Sequence, residues 1–215
     1  SQLGAKAACQ AVDETVRDSD KILATVLDEA DMFNAEMCWL VFKEILLHSV
    51  IARQQKIAEQ HKLPQQKLGH TLLVVLVGKR RAAYLHIGDG AIVIENSSQE
   101  TSTISSGWNG EFANVTCFVD EQITAEHIRS SLFSADELRG VAAMTDGTAD
   151  RLIHGRTLEP APGIKTIFEK VRRQEFGWHE LSGFLTADFW EPEIQDDRSF
   201  AYLVYRNSAL CSKAQ

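Results

Sequence analysis

Pro64 marks a change of period that no all-helical and no all-strand fold accommodates. Before it, apolar residues recur at three- and four-residue intervals; after it come short runs rich in β-forming residues, parted by glycine-containing turns. Residues 4–18 read as a helix with Ala8, Ala11, Val12 and Val16 along one face. A longer helix is expected over residues 34–61, with a stripe of Cys38, Val41, Phe42, Ile45, Ser49 and Ala52 at helical spacing. Asn34 is placed as its N-cap. The polar run Arg53, Gln54, Gln55 and Lys56 predicts a solvated far end.

Beyond Pro64, residues 70–77, 81–87 and 91–95 are three β-rich runs joined by Gly78-Lys79 and Gly88-Asp89-Gly90. Links this short predict an antiparallel meander, because parallel strands need long crossovers. The first run is apolar on both faces and is expected to be central and covered on both sides. Residues 96–110 read as a Ser/Thr/Gly loop, and 115–119 and 141–145 as further strands. Helices are expected over 164–173 and 178–189, the second presenting Trp178, Leu181, Phe184 and Leu185 on one face. A closing strand spans 200–205. Helices, then a meander, then mixed elements describe an α+β protein.

The chain of 215 residues is long enough for one well-buried domain. A net charge of −8 disfavours nonspecific binding to nucleic acid or an anionic membrane surface, and neither is an expected partner. No run approaches the ~20 apolar residues of a membrane span. Cys9, Cys38, Cys117 and Cys211 are scattered, which argues against a disulfide framework and fits a reducing cytoplasm. Ser1 enters a helix at once, so the chain is expected to be a fragment.

Two acidic sites stand out. Asp146-Gly147 ends the apolar run Val141-Ala142-Ala143-Met144, and Asp196-Asp197-Arg198-Ser199 precedes the run beginning at Phe200. Carboxylates on rigid strand ends suit a hard divalent ion. Alone, Asp146-Gly147 reads as a turn, and Asp89 between two glycines is equally a turn residue or a metal residue. His70 and His86 read as hydrogen-bonded structural residues, and Lys79, Arg80 and Arg81 as a solvated hairpin tip. Glu111 and Asn114 read as local caps, and Trp178, Phe184, Phe189 and Trp190 as a packing face.

Gly69-His70-Thr71-Leu72-Leu73-Val74-Val75, His86-Ile87-Gly88-Asp89-Gly90-Ala91, Met144-Thr145-Asp146-Gly147 and Asp196-Asp197-Arg198-Ser199 occur in that order. The series resembles the metal-dependent protein serine/threonine phosphatases of the protein phosphatase 2C type. Those proteins carry a Gly-Thr-Thr strand, a Gly-Asp-Ser turn, a Ser-Asp-Gly turn and a final Asp-Asn or Asp-Asp pair. Residues 110–118 and 1–5 resemble features of a bacterial subgroup, which points to bacterial signalling. The resemblance implies a four-layer αββα sandwich of two antiparallel sheets flanked by helices, with residues 1–215 forming a single domain that lacks its N-terminal strands.

It also implies a site for two Mn²⁺ or Mg²⁺ ions, with a third, weaker ion in some members. Asp146 and Asp196 match ligands to one metal, Asp89 matches the weaker-site aspartate, and Gly147 lies near the site. Asp197 reads as a helper that orients Asp196. The family's bridging Asp, on an Asp-Gly, falls just upstream of Ser1. The implied activity is hydrolysis of phosphoserine and phosphothreonine in proteins by a metal-bridging hydroxide. The implied partner is a phosphorylated protein substrate of a cognate serine/threonine kinase. The competing reading is a pseudophosphatase that binds phosphoproteins without turnover.

Overall fold

A computed structural model describes residues 1–107, 117–120, 122–187 and 197–205. In chain order the elements are α1 (Gln2–Asp18), α2 (Asp20–Asp28), α3 (Met32–His61), β1 (Leu72–Val77), β2 (Arg81–Ile87), β3 (Ala91–Asn96), β4 (Thr101–Ser106), β5 (Arg129–Ser134), β6 (Leu138–Met144), α4 (Asp146–Leu152), α5 (Pro162–Arg172), α6 (Trp178–Leu185) and β7 (Phe200–Val204). The protein is α+β, with two antiparallel sheets of three and four strands. It divides into two compact units, Ser1–Gly88 with Asn114–Asp136, and Asp89–Ala113 with Glu137–Gln215. Glu111, Asn114, Phe189, Trp190, Asp196 and Cys211 lie outside the described residues, as do 115 and 116 of the strand expected at 115–119.

In the first unit, α1 and α2 pack on α3. The α2 helix escaped the sequence reading, although Ile22, Leu23, Val26 and Leu27 have helical spacing. Asp31, not Asn34, caps α3: its Oδ1 accepts from the Asn34 backbone N at 3.2 Å, and its Oδ2 accepts from Asn34 Nδ2 at 3.0 Å. Loss of this cap in Asp31→Ala should cost about 1 kcal/mol, read as a lower urea midpoint at unchanged slope.

The buried face of α3 is Ala35, Trp39, Phe42, Leu46, Leu47, Val50, Gln54 and Ala58, turned from the expected stripe with Phe42 in common. Val41 and Ile45 are 50% and 41% exposed. Apolar residues occur around the whole circumference of this helix, so periodicity alone does not select the face. The far end is not wholly solvated. Gln54 is fully buried, and its Nε2 lies 3.0 Å from Val119 O, 3.3 Å from Leu68 O and 3.0 Å from His70 Nδ1.

The three-stranded sheet runs β1-β2-β5. The central strand is β2, buried everywhere except Tyr84; β1, expected there, lies at the edge of the described sheet. Leu72, Val74, Leu85 and Ile87 join Phe42, Leu46 and Val50 in one core. Full burial of each such side chain contributes about 1.5–3 kcal/mol. The expected meander fails at Gly88, whose φ of 112° is open to glycine but strained for other residues. There β3 leaves to pair with β4 and β6, and the second neighbour of β2 is β5. The β4 strand lies within the Ser/Thr/Gly stretch that read as loop, and β5 falls where the sequence reading placed no element.

The hairpin-tip arginine is buried as well. Arg81 Nη1 donates to Val26 O at 3.3 Å and Glu29 O at 2.7 Å, and its Nη2 donates to Ala30 O at 3.0 Å. A cation on the last carbonyls of α2 meets the negative end of the helix dipole.

In the second unit the sheet order is β4-β3-β6-β7. Val93, Ala142, Met144 and Phe200 pack with Ile164, Ile167 and Phe168 of α5 and Leu181 of α6. Phe184 meets Phe200 edge-on, with centroids 6.3 Å apart. Trp178, expected in this face, is 82% exposed at the first position of α6. On β3, Glu95 is fully buried and takes both arms of the Arg172 guanidinium from the last turn of α5.

Candidate metal centre

Register decides which loops meet at the end of the four-stranded sheet. Ala91 pairs with Ser106 on one side and Met144 on the other, and Met144 pairs with Phe200. This rung crosses all four strands. Immediately beyond it lie Gly107, leaving β4; Asp89 and Gly90, entering β3; Thr145 and Asp146, leaving β6; and Asp197, Arg198 and Ser199, entering β7. Antiparallel pairing thus gathers aspartates distant in sequence to one sheet end.

Each is held by local structure. Gly107 N donates to Gly90 O at 3.1 Å, and a Cβ on Gly107 would fall 2.3 Å from Asp89 Cα. Only glycine fits that approach. Asp146, expected from the sequence at a strand end, opens α4, with Gly147 buried behind it. Its half-buried carboxylate is favoured by the positive end of the helix dipole. Asp89 is also half-buried, and Asp197 is exposed. Thr145 Oγ1 donates to Asp197 O at 2.8 Å and accepts from Ser199 N at 2.9 Å, while Thr145 N donates to Ser199 O at 3.2 Å. Nothing in the spacing of the sequence pointed to Thr145 or Gly107, because both act through pairing partners far along the chain.

Asp196 lies outside the described residues, next to Asp197. Among the described residues, no three His, Cys, Asp or Glu side chains cluster as an ion site. The acidic donors at this sheet end are carboxylates alone. That set fits a hard ion such as Mg²⁺ or Mn²⁺ better than a soft one.

His70 and His86 are buried in the first unit, as expected of structural residues. Burial first, and the Arg129 charge second, push His86 down to about 3, against a smaller opposing hydrogen bond to the Gly88 backbone. Its Nε2 lies 3.4 Å from Arg129 Nη2, which can only donate, so that ring nitrogen accepts. The folded protein thus refuses a proton that the unfolded chain takes near pH 6.5. Stability should fall as pH drops from about 6.5 toward 3, by up to ~1.4 kcal/mol per pH unit from this group. Urea midpoints at pH 7 and pH 5 should differ less in His86→Gln than in the wild type.

The family model described as Protein phosphatase 2C matches residues 1–186. No curated protein matches the chain. Among solved structures, the serine/threonine phosphatase of S. agalactiae is 17% identical, with a TM-score of 0.52, over 92% of this chain and 81% of that one. Serine/threonine phosphatase Stp1 from Staphylococcus aureus is 12% identical, with a TM-score of 0.49, over 84% and 71%. The S. agalactiae likeness shows a shared fold.

Proposed function

Because the chain belongs to the protein phosphatase 2C family, we propose that it hydrolyses phosphoserine and phosphothreonine in proteins, using Mn²⁺ or Mg²⁺ held at the acidic end of its four-stranded sheet. Family and fold support protein phosphatase activity. The observation that carries the metal reading is the rung Ser106, Ala91, Met144 and Phe200, beyond which Asp89, Asp146 and the segment entering β7 all emerge.

In this reading Asp146 and Asp196 hold one ion, Asp89 serves a weaker position, and Asp197 orients its neighbour. When bound, such ions lower the pKa of a coordinated water and neutralise phosphoryl charge. The chain's own residues supply fixed negative charge on strand ends, and Thr145 and Gly107 hold those ends in place. The net charge of −8 then presents no obstacle to a phosphorylated substrate, because bound cations reverse the local sign. The substrate is a protein phosphorylated by a cognate serine/threonine kinase, and the scattered cysteines support a cytoplasmic setting.

Phosphate release from a phosphoserine peptide by this chain tests the proposal. The expected result is release with Mn²⁺ that stops on adding EDTA. Release that persists in EDTA, or none with either metal, would overturn it.

A further inference from the structure

We propose that Thr145 is a positioning residue: its hydroxyl locks the segment of Asp197 to Ser199, entering β7, against the turn carrying Asp146, and thereby sets metal affinity. The inference rests on the metal reading of this sheet end. A threonine hydroxyl has one donor and two acceptor lone pairs. Thr145 uses the donor on Asp197 O at 2.8 Å and a lone pair on Ser199 N at 2.9 Å. With Thr145 N donating to Ser199 O at 3.2 Å, three bonds join positions 145 and 197–199, immediately past the last ladder pair, Met144 with Phe200.

The ladder between β6 and β7 ends at Met144 and Phe200, and the three bonds carry the pairing of the two segments beyond it. One side chain satisfies two backbone groups on the facing segment, an acceptor and a donor two residues apart, which fixes both its distance and its direction. The acidic residues on either side of the clamp are Asp146, the next residue along on one segment, and Asp197 itself on the other. Ligands must be held within roughly 0.5 Å for a tight site. Groups that orient ligands typically contribute 10- to 100-fold in metal affinity.

The experiment is a calorimetric titration with Mn²⁺ alone on this chain, as wild type, Thr145→Val, Thr145→Ser and Asp146→Asn, with a thermal melt of each. Valine keeps the shape and removes the hydroxyl; serine keeps the hydroxyl. Thr145→Val should weaken Mn²⁺ binding by about 10-fold or more with a melt close to wild type, and Thr145→Ser should restore it. If Thr145→Val does not fold, Thr145→Ala is read against Thr145→Ser in its place. Wild-type affinity in the variant without the hydroxyl, or equal weakening in Thr145→Ser, overturns the positioning role while Asp146→Asn still loses the ion. A wild type that binds no Mn²⁺ overturns the underlying metal reading instead.

Discussion

Asp146→Asn should reduce Mn²⁺-dependent phosphopeptide hydrolysis by more than ~100-fold, because the residue is assigned as a ligand, and residues that merely orient ligands already contribute 10- to 100-fold. Asparagine has nearly the same volume and still accepts hydrogen bonds, so α4 and the β6 end should keep their form. What it loses is the negative charge that draws the cation. The thermal midpoint without metal should stay near that of the wild type. Activity within a few-fold of wild type at saturating Mn²⁺ would remove Asp146 from the site.

Arg172→Ala should destabilise the protein by about 3–5 kcal/mol, the typical result of stripping one partner from a buried ion pair. Glu95 is fully buried, and its carboxylate receives Arg172 Nη2 on Oε1 at 2.9 Å and Nη1 on Oε2. The hydrogen bonds to Glu95 are the foremost reason the Arg172 guanidinium is held above its ordinary value. Without them, a fully buried carboxylate loses the cation that both its oxygens accept from. Total stability is typically 5–15 kcal/mol, so the loss would be a large share of it. Arg172→Lys should recover only part, since an ammonium cannot match the paired geometry. Replacing both residues, Glu95→Leu with Arg172→Met, should be far milder than Arg172→Ala. Urea unfolding of the three variants reads this; a loss below about 1 kcal/mol in Arg172→Ala would show that Glu95 has another compensating partner.

The class of the fold was legible because its cues are local. The change of period at Pro64, the turn at Gly78-Lys79 and the apolar closing run place α3, β1, β2, β3, β6 and β7 close to where they lie. What depended on distant partners was not legible. Exposure of Val41 and Ile45 follows from where α1 and α2 settle, and Arg81 is buried because α2 ends beside it. The β4 strand read as loop because one face of such a strand need not be buried. The turn at Gly88 looked like a hairpin, yet its backbone sends β3 into another sheet.

The candidate site divides along the same line. Asp89, Asp146 and Asp197 could be named because glycine, an apolar run, or both flank them. Their emergence at one sheet end is a consequence of register, which no local pattern encodes. The Glu95 and Arg172 pair spans 77 positions, and Thr145 works 52 positions from Asp197.

Mn²⁺ broadens NMR signals of nuclei near it, so titrating Mn²⁺ into ¹⁵N-labelled protein locates the ion without reference to turnover. The amides of Asp89, Gly90, Thr145, Asp146, Gly147, Asp197 and Ser199 should fade first, and those of Asn96 and Leu138, at the opposite end of the same sheet, should fade later. Uniform broadening, or early loss centred on any other acidic group, would contradict a metal centre at the end of the four-stranded sheet.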